Sequence, residues 1–190
     1  LIASLKMRLS QPSDLIDLSG IAELRAIKAD SANLTIGALA THNAVASSKD
    51  VQRAIPALAQ LAEGIGDRQI RNTGTLGGAL ANNDPAACYP AAALALGAII
   101  HTDKRAIAAA DFFIGLYETA LAPGELITSV SFPIPKTANY QKFQQPASRF
   151  ALVGVFVAQT AQGVRCAVTG AGPGVFRSNV IEQALAQRFD

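Results

Sequence analysis

The segment "RQIRNTGTLGGALANNDPAACYP", Arg68 to Pro90, decides how the chain is interpreted, because glycine and polar residues are concentrated in it. Gly74, Gly77 and Gly78 lie close together, and an Asn-Asn-Asp-Pro sequence begins at Asn82. Without a Cβ atom, glycine lets backbone amides approach a bulky polar group, and successive amides can surround an anion. The alternative is a structural turn between two helices, with Asn-Asp-Pro as ordinary turn chemistry. Composition alone leaves both interpretations open.

The composition predicts a globular, cytoplasmic domain that binds no nucleic acid and has no transmembrane segment. Half of the 190 residues are hydrophobic, and 16 basic against 14 acidic residues leave a net charge of +2, so no basic surface for nucleic acid is indicated. The longest apolar run, Pro90 to Ile100, is too short and too rich in alanine to span a bilayer. Cys88 and Cys166 form neither a disulfide framework nor a metal site, and we expect both thiols to be buried.

Periodicity predicts helices and strands in alternation before residue 135. Thr41 is predicted to cap a short helix, and the apolar face from Val51 to Leu61 predicts a helix that Pro56 interrupts. A helical turn is expected to be capped by Asp111. The other predictions in this part are strands over about 6–9, 33–39, 98–102 and 126–134 and a helix over 89–96.

After Pro133 and Pro135 the pattern changes, which places the predicted domain boundary there. Three strands follow, the last two as an antiparallel hairpin that turns at 161–163, and a final helix begins near Ser178. The sequence therefore predicts an α+β chain with domains at 1–135 and 136–190.

The common catalytic and nucleotide motifs do not match. "GTLGG" differs from the G-x-G-x-x-G order of a dinucleotide-binding turn, and no Lys-Ser/Thr pair follows it as in a phosphate loop. We find no catalytic triad, paired-carboxylate motif or zinc-ligand spacing, so no catalytic or metal-binding residue is predicted. His42 and His101 are interpreted as structural.

The wider segment, "IGDRQIRNTGTLGGALANNDPAACYP", resembles the second FAD-binding motif in the flavin subunits of molybdenum-containing hydroxylases. These subunits include the medium subunit of carbon monoxide dehydrogenase and the flavin domain of xanthine dehydrogenase. The positions that fit in register are Gln69, Ile70, Arg71, Gly74, Thr75, Leu76, Gly77, Gly78 and Pro85. "LTIGALATHNAVASS", "PGELITSVSFPIP" and "YQKFQQPASRFALVGVFVA" also match, so the resemblance covers nearly the whole chain.

The resemblance implies a p-cresol methylhydroxylase-type FAD-binding fold. Leu1 matches the last position of the first FAD motif of that family, so the first subdomain would be mostly missing and the second largely complete. Residues 1–135 would then be an FAD-binding domain without its N-terminal glycine-rich loop, and residues 136–190 the start of a sheet-plus-helix C-terminal domain.

The resemblance also implies a set of cofactor-binding residues. Thr75 would bind the pyrophosphate beside the amides of Gly77, Gly78 and Ala79. Thr75 to Ala79 would form an irregular turn that leads into or flanks a helix, with several amides directed to one cavity. Cys88 occupies a position where the family often has Asp, and Asp84 is a candidate to replace it. The full predicted set is Leu1, Ile65, Gly74, Thr75, Leu76, Gly77, Gly78, Ala79, Ala81, Asn82, Asp84, Cys88, Leu126, Ile127 and Lys142.

Three side chains near this set have competing interpretations. Arg71 either neutralises a phosphate or, as we favour, supports the carbonyls of its own loop. Lys142 is either a surface lysine or, as the resemblance implies, a neighbour of the flavin ring. Phe150 either packs in the core or covers one flavin face.

By resemblance, the function is that of an FAD-binding oxidoreductase subunit that passes electrons from iron–sulfur clusters through FAD to an acceptor. Its partners would be an iron–sulfur subunit with two-iron two-sulfur clusters and a subunit carrying the molybdenum cofactor. The alternatives are a non-catalytic assembly module of the same fold that holds no FAD and a self-contained flavin reductase. Because one FAD loop is missing, we expect weak FAD binding, and we expect self-association through the strand at 6–9 or the helix that ends in Phe189.

Overall fold

A computed structural model describes residues 5–9 and 11–187. The first part of the chain forms a five-stranded antiparallel sheet with strand order β1-β2-β7-β3-β4. Its strands are β1 (Ile27–Ala29), β2 (Asn33–Gly37), β3 (Ile99–Thr102), β4 (Ala106–Ala108) and β7 (Ile127–Pro133). Val130 pairs with Ile36 on one side and Ile100 on the other, and all three are fully buried. This row of branched side chains anchors the sheet in the core.

Short helices surround this sheet, and a 3-10 helix (Ala22–Arg25) precedes β1. The helices are α1 (His42–Ser47), α2 (Lys49–Ala54), α3 (Pro56–Glu63), α4 (Arg68–Thr73), α5 (Leu76–Asn82), α6 (Tyr89–Leu96) and α7 (Ala109–Phe112). The caps explain why they start where they do: Thr41 accepts from the amide of Ala44, which confirms its predicted role, and Ser48 caps α2. Pro56 occupies the first turn of α3, where its missing N–H costs nothing.

A second antiparallel sheet has the strand order β11-β10-β9-β8. Its strands are β8 (Thr137–Gln144), β9 (Ala151–Thr160), β10 (Gly163–Thr169) and β11 (Phe176–Arg177), and α8 (Asn179–Gln187) follows them. The predicted hairpin is confirmed, because Gly163 pairs with Thr160 across the turn. Strands β5 (Phe113–Gly115) and β6 (Glu118–Thr119) form a separate two-stranded ribbon.

Helix α6 joins the two sheets. All eight of its residues are buried, and it packs on β7 from one side and on β9 and β10 from the other. A helix that is apolar on every side needs such an enclosed place. The second sheet is also joined to the turn before α6 through Thr169, whose hydroxyl oxygen lies 2.8 Å from the Pro85 carbonyl oxygen and 2.7 Å from that of Ala87.

Three local predictions are wrong. Leu5 and Lys6 are helical and residues 7–9 form a turn and a bend, so no strand occupies 6–9. Asp111 lies inside α7, which begins after Ala108 without a side-chain cap. Residues Leu76 to Ala79 form the first turn of α5 and not an irregular turn. Leu1 and Phe189 lie outside the described residues.

Cys88 and Cys166 are free and buried, as the sequence predicted. In the described part of the chain, no helix combines the length and apolar character that a membrane span requires.

Candidate functional site

A cavity of about 870 Å³ opens between the start of α5, the turn before α6 and the segment that joins β8 to β9. Its volume lies in the range of small-molecule and cofactor sites. Its lining residues are His42, Ile65, Gly66, Ile70, Thr73, Gly74, Thr75, Gly78, Ala79, Asn82, Asp84, Ala86, Ala87, Cys88, Tyr89, Ser148, Arg149 and Phe150.

The start of α5 gives the cavity a hydroxyl group. Thr75 is the N-cap of this helix, and its Oγ1 accepts from the amide of Gly78 at 3.1 Å. The hydroxyl proton of Thr75 is not used in that bond, so it can be donated to a ligand oxygen.

The amides of the same turn are engaged inside the protein. Leu76 donates to Ala40 at 3.0 Å, Gly77 donates to Ala38 at 2.8 Å, and Ala79 donates to Thr75 at 3.0 Å. With the Gly78 amide bound to Thr75, the first turn of α5 differs from the predicted array of amides directed to a cavity. The Thr75 hydroxyl and the bare backbone of Gly78 are what this turn offers a ligand.

Gly74, Gly77 and Gly78 have different structural roles. A Cβ at Gly77 would come within 2.6 Å of the Ala38 Cβ, and one at Gly74 within 2.5 Å of the His42 Nε2, so both glycines allow close packing. A Cβ at Gly78 would meet the Thr75 Oγ1 at 3.0 Å, and Gly78 is exposed to the cavity. Gly78 is therefore the glycine that keeps space for a ligand.

Arg71 supports the turn before α4. Its Nη1 donates to the carbonyls of Ile65 at 3.1 Å and Gly66 at 2.9 Å. This is the interpretation that we favoured from the sequence, and it is confirmed. The same bonds hold Ile65 and Gly66 in the cavity wall.

Lys142 links three parts of the chain. Its Nζ donates to the Gly64 carbonyl at 2.5 Å, to the Arg149 carbonyl at 3.0 Å and to the Cys88 Sγ at 3.7 Å. All three donors of the ammonium group are thereby used. Lys142 fixes the Gly64 turn, the Cys88 wall and the segment before β9 relative to one another.

His42 and Tyr89 form a buried aromatic pair at the cavity wall, with ring centroids 5.3 Å apart. Burial, and then the nearby Arg71, lower the pKa of His42 to about 4. Burial also raises the pKa of Tyr89, so both side chains are neutral near pH 7. The His42 and Tyr89 rings in the cavity wall are therefore polar but uncharged.

Asp84 is the carboxylate of the lining. Its Oδ1 accepts from the amide of Ala86 at 2.8 Å, and its Oδ2 accepts from the Tyr117 hydroxyl at 3.3 Å. The Asp84 charge raises the pKa of Tyr117. Among residues 5–9 and 11–187, no three His, Cys, Asp or Glu side chains gather as a metal site.

The structure brings only part of the predicted set to the cavity. Ile65, Gly74, Thr75, Gly78, Ala79, Asn82, Asp84 and Cys88 line it. Leu76, Gly77, Ala81, Leu126, Ile127 and Lys142 lie outside the lining. Leu76 and Gly77 pack in the interior, and the Leu126 amide donates to Asp103. The role of Lys142 is indirect, through its contacts with Cys88 and Arg149.

Several lining residues carry no signal in the sequence that would mark them as part of a site. Arg149 and Ser148 carried no motif signal of their own, and His42 was interpreted as structural although its ring lies in the cavity wall. Phe150, considered for a flavin face, does line the cavity. The match of "YQKFQQPASRFALVGVFVA" was the one signal that pointed to residues 148–150.

A family model described as the FAD binding domain in molybdopterin dehydrogenase matches residues 1–135. The chain belongs to this family. The resemblance to the flavin subunits of molybdenum hydroxylases is thus confirmed, as is FAD as the cofactor of the family.

Curated proteins similar to this chain include the medium chains of two dehydrogenases and the medium subunit of a hydroxylase. The carbon monoxide dehydrogenase medium chain of Afipia carboxidovorans is 34% identical over 179 residues, which are 90% of this chain and 62% of that protein. The glyceraldehyde dehydrogenase medium chain of Sulfolobus acidocaldarius is 33% identical over 96% of this chain and 69% of its own length. The chain thus spans about two thirds of the length of these relatives.

Solved structures show the same fold. The reconstituted carbon monoxide dehydrogenase of Oligotropha carboxidovorans superposes with a TM-score of 0.90 at 30% identity, over 98% of this chain and 69% of that one. The Hydrogenophaga pseudoflava enzyme that lacks the Mo-pyranopterin moiety gives 0.88 at 32% identity, over 96% and 68% of the two chains. The predicted α+β, FAD-binding fold class is confirmed.

The residues of the cavity fit a flavin nucleotide. The Thr75 hydroxyl and the open Gly78 backbone form a place where a phosphate oxygen can approach closely. Ile65 and Phe150 provide apolar and aromatic surface of the kind that a flat ring system requires.

Proposed function

We propose that this chain binds FAD in the cavity and serves as the flavin-binding part of a molybdenum hydroxylase. The observation that carries the proposal is the Thr75–Gly78 turn, which faces a cavity of cofactor size in a chain of this family. When bound, FAD would supply the redox chemistry, and the chain would supply its binding and orientation.

Two walls would hold the cofactor in this proposal. The α5 wall, with Thr75, Gly78, Ala79 and Asn82, would take the phosphate chain. The opposite wall, with Ile65 and Phe150, would enclose the ring and exclude water from it. Lys142 would keep the second wall in place through its bonds to the Gly64 and Arg149 carbonyls.

Electron transfer from iron–sulfur clusters through FAD to an acceptor is the role we infer for the whole subunit. It is supported by the relatives, which are named as medium subunits of carbon monoxide and glyceraldehyde dehydrogenases. The partners would be an iron–sulfur subunit and a molybdenum-cofactor subunit, and a cytoplasmic location stays a prediction.

The second candidate, an assembly module that holds no FAD, is favoured by one observation. The four amides from Leu76 to Ala79 already have acceptors inside the protein. Pyrophosphate binding at this turn would therefore depend on few donors.

Titration of the purified chain with FAD distinguishes the two candidates. We expect saturable binding that perturbs the flavin absorption bands, with weaker affinity in the Thr75→Val variant. The Thr75→Ser variant keeps both the hydroxyl and the helix cap and should bind like the wild type. If no FAD binds at millimolar concentration, or if Thr75→Val binds as well as Thr75→Ser, the proposed site is wrong.

A further inference from the structure

Three cations gather beside the cavity, around Gly64 and Gly66. Arg71 and Arg149 both direct Nη1 at the Gly66 carbonyl, at 2.9 and 3.4 Å. Lys142 donates to the carbonyls of Gly64 and Arg149. We call Arg71, Lys142 and Arg149 the cationic cluster.

The cationic cluster has no carboxylate partner in the described chain. Its acceptors are neutral carbonyl oxygens and a sulfur atom. The ion pairs of residues 5–9 and 11–187 join other residues: Arg53 with Asp50, Arg105 with Glu125 and Arg177 with Glu182. Like charges that converge without a counter-ion favour the binding of an anion beside them.

Arg149 is the member of the cluster that lines the cavity. Its backbone adopts φ +60°, a left-handed conformation that residues other than glycine rarely adopt. Such a conformation persists where the surroundings fix it, often at a binding site. Here the surroundings include Lys142, which binds the Arg149 carbonyl, and Gly66, which accepts from the guanidinium group.

The start of α5 is a better place for a phosphate chain than the segment that holds Arg149. Thr75, Gly78 and Asn82 lie at or on α5, whereas Arg149 and Phe150 lie on the segment that joins β8 to β9, and the Arg149 side chain contacts Gly66, next to Ile65. A flavin nucleotide placed with its phosphates at α5 would therefore bring its ring to the cationic cluster. The ring is neutral when oxidised, and it gains one negative charge when it takes up two electrons and one proton.

We propose that Arg149, held in place by Lys142, stabilises this negative charge of the reduced flavin ring and so raises the reduction potential of the bound cofactor. The electrons would come from the iron–sulfur donor of the partner subunit. The proposal rests on the proposed function, because it requires FAD in this cavity. Arg149 would act on the ring, while Lys142 is a positioning residue.

The test compares affinities for oxidised and dithionite-reduced FAD, measured anaerobically with the whole chain. In Arg149→Gln we expect about tenfold weaker binding of reduced FAD, the size of one charged hydrogen bond, and less than about twofold change for oxidised FAD. For a two-electron couple, that tenfold change corresponds to a potential about 30 mV lower. Arg149→Asn is a second neutral variant, since Asn tolerates left-handed backbone.

Two controls separate charge from packing. Arg149→Lys keeps the charge and should retain most of the preference for reduced FAD. Arg68→Gln removes an exposed positive charge outside the cavity lining and should leave both affinities unchanged.

Each result that contradicts the proposal has a distinct meaning. An equal loss of affinity for both redox states in Arg149→Gln and Arg149→Asn would place Arg149 at a phosphate and overturn the proposal, with FAD binding intact. Unchanged affinities would place Arg149 away from the ring and also overturn it. If the wild-type chain binds neither form, the proposed function itself fails.

Discussion

At the scale of single residues, Thr75 and Gly78 form a pair whose roles depend on each other. Thr75 accepts from the Gly78 amide, which caps α5 and orients the hydroxyl group. Gly78 has no side chain, so the hydroxyl remains accessible from the cavity. A larger residue at position 78 would lie against the very oxygen that a ligand has to reach.

Replacement of Gly78 by Val should therefore weaken FAD binding at least tenfold, about 1.4 kcal/mol, because the new side chain crowds Thr75 and blocks close approach. Fluorescence or absorption titration measures the effect. Gly20→Val is the matched control, since a Cβ at Gly20 meets no atom within 4 Å. Equal FAD affinity in Gly78→Val and Gly20→Val would contradict the assignment.

His42 makes stability depend on pH. Its pKa is lowered from 6.5 to about 4 by burial and by Arg71, so the unfolded chain takes up the proton first as the pH falls. The contribution of His42 is complete above pH 6.5 and is lost progressively down to about pH 4. At about 1.4 kcal/mol per pKa unit, the loss in free energy of unfolding is on the order of 3 kcal/mol.

Urea unfolding between pH 7 and pH 4 tests this, with His42→Gln as the comparison. The variant should lose the part of the pH dependence that lies between 6.5 and 4. Parallel curves for the wild type and His42→Gln would show that the ring is accessible to protons in the folded chain.

At the scale of elements, β8 is tied to the first part of the chain by Lys142. The side chain leaves β8, reaches the end of α3 at Gly64 and contacts Cys88 just before α6. The Arg149 carbonyl shares the same ammonium group. The segment from Gln145 to Phe150 is therefore positioned by contacts outside its own strands.

Lys142→Met should lower the free energy of unfolding by about 1 kcal/mol, because the Gly64 and Arg149 carbonyls lose a charged donor. Thermal or urea unfolding measures this change. Lys136→Met, just before β8, removes an exposed lysine and should change stability by less than about 0.5 kcal/mol. Similar stabilities of the two variants would show that Lys142 is no structural link.

The elements that the sequence predicted correctly are those with local signals. Thr41 as a cap, the break at Pro56, the helix at 89–96 and the hairpin at 161–163 all depend on nearby residues. The prediction that Asp111 is an N-cap was wrong because an acidic residue in the first turn of a helix resembles an N-cap in sequence. The strand at 6–9 was inferred from a short apolar pattern, which fits a helical turn as well.

The cavity was predictable only in part, for a related reason. Its α5 wall follows a contiguous motif, and that motif was visible in the sequence. Arg149 and His42 reach the cavity through tertiary packing, and the use of the Gly77 amide by Ala38 depends on the fold. Contacts of this kind leave no periodic or spacing signal.

At the scale of the whole molecule, the predicted contacts for self-association lie near the two ends of the described chain, at residues 6–9 and in α8. The predicted strand edge at 6–9 is absent from the structure, which removes one of the two predicted contacts. Helix α8 remains a candidate, because none of its residues is buried and Val180 is 79% exposed. An amphipathic helix with an open apolar face favours association.

We therefore expect the chain to self-associate at micromolar concentration, with α8 in the contact. Val180→Glu should shift the molecule toward the monomer in sedimentation experiments. The control must leave Glu182 unchanged, because Glu182 pairs with Arg177. Gln183→Glu, also exposed on α8, adds the same charge without removing an apolar group. A monomeric wild type would contradict this prediction.

The enclosed position of α6 determines which parts of the protein can unfold separately. Because α6 is buried between β7 and the β9–β10 pair, and Thr169 binds the turn that precedes it, neither sheet can separate without exposing this helix to water. Amide hydrogens of α6, β7, β9 and β10 should accordingly exchange with deuterium as one cooperative unit, at a single opening free energy. The β5–β6 ribbon, which lies outside that unit, should exchange earlier.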